Sequence, residues 1–396
     1  RALGLAGVIL LVETIGSRIA PISKEESYWE LKDDGRAFGL IPNFEGFLIS
    51  PEFSHRIQTN ALGFRDHRNA TQIMNADKMI LCMGDSFTFG YGVNYQDMFS
   101  QQLESLLQAQ KCDYAVVSSG HENGWSPVQY DFYLRRYMDE LQPDVVVAAV
   151  FPTNDLHDHK VLRRVYNEQG EEVAQELSAY TVVDGKFMDA RFVDGKKHQE
   201  SQSLYQSLED ILENAWRDGK AWLYSRSYTF RVIELLWARY IEKRPGLWFE
   251  LPYFHLTGAP REDDTLYKET LQSLLDMNAF CARQGVPFVV MLIPDKLQVS
   301  EAYHPQLLAA SNADNTTQGL LEQALVTKQP QQFLTSFFEE HGIRYIDLLD
   351  DLREADKTTD MYYRMDGHWL PVGHELVADI LYQYLAENRL LDCPAD

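Results

Sequence analysis

The chain has 396 residues and a formal net charge of -23. That length suits one large α/β domain with an insertion, or a domain with a small appendage, and leaves ample room for a core. No basic stripe is present to neutralise phosphates, so nucleic acid is not an expected partner, and the acidic balance disfavours adsorption to anionic lipid.

The amino terminus runs without charge from Ala2 to Val12 before Glu13. This is shorter than the roughly twenty residues a membrane helix needs. Residues 1–20 read as the end of a membrane anchor or uncleaved signal segment, with a buried helix as the competing reading. Residues 21–66 form a leader rich in turns, in which the alternation His55-Arg56-Ile57-Gln58 predicts a short strand.

The apolar run Met79-Ile80-Leu81-Cys82-Met83 then predicts a buried strand that stops abruptly at Gly84-Asp85-Ser86. A serine at such a strand-to-helix junction projects from the carboxyl edge of a sheet, beside the first amides of the helix, which suits a nucleophile. The plainer reading is that Ser86 caps the helix. A helix follows over residues 96–110, with Phe99, Leu103, Leu106 and Leu107 on one face; next come a strand at 114–118 and a helix at 129–141. The run Val145-Val146-Val147-Ala148-Ala149-Val150 predicts another buried strand, leading into Phe151-Pro152-Thr153-Asn154-Asp155. Asn154 therefore also stands where a strand leaves the sheet, although Asn-Asp is common in ordinary turns.

From about 156 to 261 the pattern loosens and reads as an insertion, of the kind that forms a lid or substrate wall beside an active edge. Val183-Asp184-Gly185-Lys186 and Val193-Asp194-Gly195-Lys196 each carry the Asp-Gly signal of a tight hairpin, and helices are expected over 203–218 and 227–241. His157 and His159 flank Asp158 but supply no complete ligand set, so no metal is expected. No phosphate-cradling glycine loop or dinucleotide fingerprint is present, and no cofactor is implied.

The core resumes at Thr265 with a helix through Asn278 and Arg283, then a strand at 287–293 that ends in Pro294-Asp295-Lys296. Asp295 and Lys296 read either as substrate contacts or, more simply, as a solvated turn. Another helix precedes a last strand at 344–349, and the chain closes with Met365-Asp366-Gly367-His368-Trp369 and a helix containing His374. His374, on that helix, is a remote second candidate for a base. Of the four cysteines, Cys82 and Cys281 read as small core residues, and with no metal spacing among Cys82, Cys112, Cys281 and Cys393 no disulfide framework is expected. The alternation is that of an α/β protein with a parallel sheet, in which Ser86, Asn154 and the Asp366/His368 pair converge on one edge.

These blocks together resemble the SGNH, or GDSL, hydrolase family of serine esterases and acyltransferases, over about residues 60–385. Gly84-Asp85-Ser86 matches the nucleophile block, Gly124 in Gly120-His121-Glu122-Asn123-Gly124 the oxyanion glycine, Asn154 the asparagine block, and Asp366 with His368 the terminal acid and base. Only Gly367 separates Asp366 from His368, where the family pattern has two residues; Asp-Gly-His-Trp resembles instead the branch related to alginate O-acetyltransferases. The glycine often found shortly before the block-three asparagine is replaced by Pro152-Thr153. The resemblance implies a three-layer α/β/α flavodoxin-like fold over residues 67–396. Ser86, Asp366 and His368 would be catalytic, and Ser86, Gly124 and Asn154 would form the oxyanion hole.

The expected function is that of a serine-dependent acyl-ester hydrolase acting on O-acetyl groups of an exported glycan. Acyl transfer to a polysaccharide through the same acyl-serine is the alternative. A third reading is a catalytically silent, membrane-anchored assembly subunit with membrane-protein partners. All three set the folded body in the periplasm or outside the cell, tethered through the amino-terminal segment.

Overall fold

The computed structural model describes residues 28–31, 38–50, 52–121, 125–155, the backbone of four strands between 163 and 189, Thr229, and residues 265–304, 327–364 and 366–394. The amino-terminal stretch 1–20, the second Val-Asp-Gly-Lys tetrapeptide, the expected helices at 203–218 and, Thr229 apart, at 227–241, and Gly124, His157 and His159 fall outside the described residues. Among the described residues no helix is long and apolar enough to cross a membrane.

Two antiparallel pairs come first: β1 (Trp29–Leu31) with β2 (Phe38–Leu40), and β3 (Glu45–Ile49) with β4 (Ser54–Gln58). The leader is thus more regular than its turn-rich composition suggested. Its alternation survives in β4, where His55 and Ile57 are buried while Ser54 and Arg56 face out. A short helix α1 (Ala70–Met74) follows, started by a capping box between Asn69 and Gln72.

The central sheet is built from β5 (Met79–Met83), β6 (Ala115–Ser118) and β7 (Val145–Val150), with two further strands from the carboxyl-terminal third. The helices of its first half are α2 (Ser86–Phe89), α3 (Phe99–Ala109), α4 (Pro127–Leu141) and the single turn α5 (Pro152–Asp155). Between 163 and 189 lie four antiparallel strands, β8 (Arg163–Tyr166), β9 (Glu172–Leu177), β10 (Tyr180–Val183) and β11 (Lys186–Asp189). Val183 pairs with Lys186, the register the first Asp-Gly dipeptide predicts.

The second half contributes α6 (Thr265–Gln284), β12 (Phe288–Leu292), α7 (Lys296–Val299), α8 (Gln329–His341), β13 (Arg344–Asp347), α9 (Leu349–Asp356) and α10 (Pro371–Glu387). The predicted last strand was too long at its end, because Leu348 and Leu349 turn into α9, where both are buried.

The five central strands run in the order β13-β12-β7-β5-β6, and all the pairings are parallel. This is the flavodoxin-like doubly wound order, with its switch point between β5 and β7. Strands covered on both faces need continuous apolar runs, and β5, β7 and β12 are buried at every position. Alternate residues separate into two cores. Leu81, Met83, Val146, Ala148, Val290 and Leu292 pack with α4, α6 and α8. Ile80, Cys82, Val147, Ala149, Val289 and Met291 pack with α3, α9 and α10. Each fully buried aliphatic side chain contributes about 1.5–3 kcal/mol, so the sheet and its two helical layers set the rigid frame for the loops at its carboxyl edge.

The expectation of no disulfide is overturned: Cys112, just after α3, is bonded to Cys393 in the tail after α10, 281 positions away in sequence, with Cα atoms 4.9 Å apart. No local spacing can announce such a pair, because only the packing of α10 against α3 brings the tail there. Cys82 and Cys281 are free and buried, as expected.

Candidate active site

Strand β5 gives way to Gly84, where crowding admits no side chain: an added Cβ would lie 2.0 Å from Thr88 Oγ1 and 3.0 Å from the carbonyl of Ala149. Asp85 then caps α2, its Oδ1 accepting from the Phe87 amide at 3.0 Å. Because Asp85 takes the capping role, the Ser86 hydroxyl is left for other work. Ser86 is the first helical residue, 7% exposed, and its Oγ lies 2.7 Å from His368 Nε2.

The opposite nitrogen of that ring, Nδ1, lies 2.5 Å from Asp366 Oδ1, which also accepts from the His368 amide at 2.8 Å. One carboxylate oxygen therefore fixes both the backbone and the ring of the residue two places on. This is why a single intervening glycine suffices between Asp366 and His368: the Asp side chain closes a local turn onto the residue it orients. The ring is held from the sides by Phe87, with centroids 4.8 Å apart, and Tyr91, at 4.6 Å. Burial works against ionisation of Asp366, but His368 and Lys296 outweigh it and hold the carboxyl below its ordinary value. It is the anion that stabilises an imidazolium as one forms.

Asn154 lies in α5, past the end of β7, and its Nδ2 donates to Asp85 Oδ2 at 3.2 Å. The asparagine and the nucleophile block are thus tied together at the switch point. Asp85 is fully buried, and burial pushes its carboxyl up to about 6 against the bonds from Phe87 and Asn154. Asp155 serves as an anchor beneath, accepting from Tyr130 Oη at 2.9 Å and from the Phe151 amide at 2.7 Å.

The solvated turn expected at Asp295-Lys296 is not what the fold makes. Both residues are buried, Asp295 capping α7 and accepting from Thr153 Oγ1 at 3.1 Å. His374 is likewise removed as a base: its Nδ1 accepts from the Phe99 amide at 3.2 Å, and burial lowers it to about 3. Among the described residues no cluster of side chains suits a metal ion.

Several contributors carried little or no sequence signal. Glu52 Oε2, at the end of the β3–β4 hairpin, accepts from the Asp366 amide at 2.8 Å. Tyr363 Oη donates to the carbonyl of Gly92 at 2.7 Å, joining the acid–base loop to the loop after α2. Only its place directly after the capped strand end marked Asp85.

Residues 255–395 match the family model described as an SGNH hydrolase-like domain of the acetyltransferase AlgX. That segment is SGNH hydrolase-like. The matched segment includes Asp366 and His368, and Ser86 and Asn154 precede it. Among curated proteins, the chain is similar to the probable alginate O-acetylase AlgJ of Pseudomonas aeruginosa, 32% identical over 113 residues; the alignment takes in 28% of this chain and 25% of that relative. Two solved structures are similar as well. A lipolytic protein of the G-D-S-L family from Veillonella parvula is 12% identical, covering 78% of this chain and 98% of its own, with a TM-score of 0.36. Axe2, an acetyl-xylooligosaccharide esterase from Geobacillus stearmophilus, is 12% identical, covering 82% and 100%, with a TM-score of 0.35.

Proposed function

We propose that the chain is a serine-dependent acyl-ester enzyme that removes or moves O-acetyl groups on an exported glycan, through an acyl-serine at Ser86. The observation that carries the proposal is the continuous line of hydrogen bonds from Ser86 Oγ through both nitrogens of His368 to Asp366 Oδ1.

In this reading His368 Nε2 takes the Ser86 proton as Oγ attacks the ester carbonyl, since an unassisted serine hydroxyl is a weak nucleophile near neutral pH. The oxyanion meets the Ser86 amide at the start of α2, the Asn154 side-chain amide and the Gly124 amide. Collapse breaks the bond to the alcohol, which leaves with the proton from His368. An incoming hydroxyl then gives its proton to His368, attacks the acyl-serine and frees Ser86. Water makes the enzyme an esterase; a sugar hydroxyl makes it a transferase.

The likeness to AlgX and AlgJ favours the sugar. The Cys112–Cys393 bond supports an oxidising compartment, where such bonds persist.

The test is p-nitrophenyl acetate turnover and fluorophosphonate labelling of wild type, Ser86→Ala and His368→Ala, with and without a soluble oligosaccharide acceptor. Activity and labelling lost in both variants support the acyl-serine, and acetylated oligosaccharide among the products supports transfer. A wild type with neither turnover nor labelling overturns the proposal and favours an assembly subunit.

A further inference from the structure

Lys296 is the first residue of α7, with three residues between it and the end of β12, and is 2% exposed. Its ammonium donates to the carbonyl of Tyr363 at 2.5 Å, of Arg364 at 2.7 Å and of Asp366 at 3.4 Å. All three carbonyls belong to one short loop, and the third is on the acid itself. Three carbonyl oxygens turned toward one point repel each other unless a cation sits among them.

The nucleophile side is built in the same way. The buried Arg65 guanidinium donates to the carbonyls of Phe89 at 2.9 Å, Gly90 at 2.7 Å and Val93 at 2.7 Å, all at or just past the end of α2. Tyr363 links the two assemblies through Gly92. The far end of the helix that Ser86 begins and the loop that carries His368 are thus each gathered around a buried cation.

We propose that Lys296 is a positioning residue for the acid–base pair, holding the Asp366–His368 loop in register with Ser86 through backbone carbonyls and without touching substrate. The inference rests on the acyl-serine reading above. The charged groups around the ammonium are Glu52 from the hairpin, Asp366 on the loop, Asp295 on its own helix and Asp356 at the end of α9. Burial outweighs these carboxylates and lowers the ammonium to about 8. Below that value the nitrogen offers three N–H groups; above it the neutral amine turns a lone pair toward the carbonyls, so kcat falls as pH rises through it.

The experiment uses the full chain, measuring kcat and KM for p-nitrophenyl acetate and the fluorophosphonate labelling rate from about pH 6 to about pH 10. Lys296→Met is expected to lower kcat and labelling at neutral pH by about tenfold to hundredfold, with KM within about twofold, the size a displaced catalytic group produces. Lys296→Arg, which keeps its charge over the whole range, is expected to restore activity and move the alkaline fall upward. Lys328→Met, which removes an exposed ion pair with Asp350, leaves both unchanged. A folded Lys296→Met with wild-type kcat overturns the proposal. So does a folded Lys296→Arg whose kcat and labelling rate are no higher than those of Lys296→Met. A wild type that never labels at Ser86 removes the acyl-serine reading itself, which separates the two failures.

Discussion

Replacing Asp366 with Asn isolates the charge of the acid from its geometry. Asp366 Oδ1 accepts two bonds from His368, one from the amide at 2.8 Å and one at the ring at 2.5 Å, and an amide oxygen in the same place can accept both, more weakly for want of the charge. What disappears is the negative charge facing the imidazolium that forms as Ser86 attacks. With charge centres about 4 Å apart and an effective dielectric of about 20, that attraction is worth about 4 kcal/mol, or about a thousandfold in rate. The nearby Lys296 ammonium makes an uncompensated site worse rather than better, since it then faces the imidazolium with one carboxylate fewer. Asp366→Asn is therefore expected to retain its fold and KM for p-nitrophenyl acetate while losing about a thousandfold in kcat at pH 7. The loss should remain smaller than that of Ser86→Ala, which removes the nucleophile. A variant within tenfold of wild type would refute the assignment of Asp366 as the acid and point to an alternative source of charge, such as Glu52.

Asn154→Ala should cost about 2.7–4 kcal/mol of transition-state stabilisation, a hundredfold to thousandfold in kcat, and a loss below fivefold would remove it from the oxyanion hole. Cys393→Ser opens a covalent loop whose ends stand 281 positions apart in sequence, for which chain entropy gives about 5.6 kcal/mol; at about 0.8 kcal/mol/K for a chain of this size the melting temperature should fall by about 7 °C, and an unchanged value would show that the bond contributes nothing. His374 is lowered from 6.5 to about 3, so the unfolded chain takes up a proton there first: its contribution to stability is whole above about pH 6.5 and is lost as pH falls toward 3. His374→Asn, whose Oδ1 can still accept from the Phe99 amide, should flatten that acid limb in a pH series of thermal melts; an unchanged slope would assign the limb to other groups, such as His55, lowered to about 2 by burial.

The amino-acid sequence determined the layered α/β frame, because strands buried on both faces must be continuous apolar runs and because the helices between them keep their own period. It also determined which residue types reach the edge. Ser86, Asn154, Asp366 and His368 each follow an apolar strand or precede an amphipathic helix, and the parallel order of the sheet carries such positions to one end. Resemblance added the pairing of roles, and the Ser86–His368–Asp366 distances are compatible with it. What the sequence left open lay in contacts between distant segments. Whether Ser86 or Asp85 capped α2 depended on which side chain His368 would claim from 282 residues away. Lys296 looked like part of a solvated turn because a lysine usually is, and only the return of the Tyr363–Asp366 loop gave its ammonium carbonyls to bind. Glu52 and Cys393 had no local pattern at all. Local periodicity is written in neighbouring residues, whereas hydrogen bonds, covalent links and burial between segments exist only once the whole chain has packed.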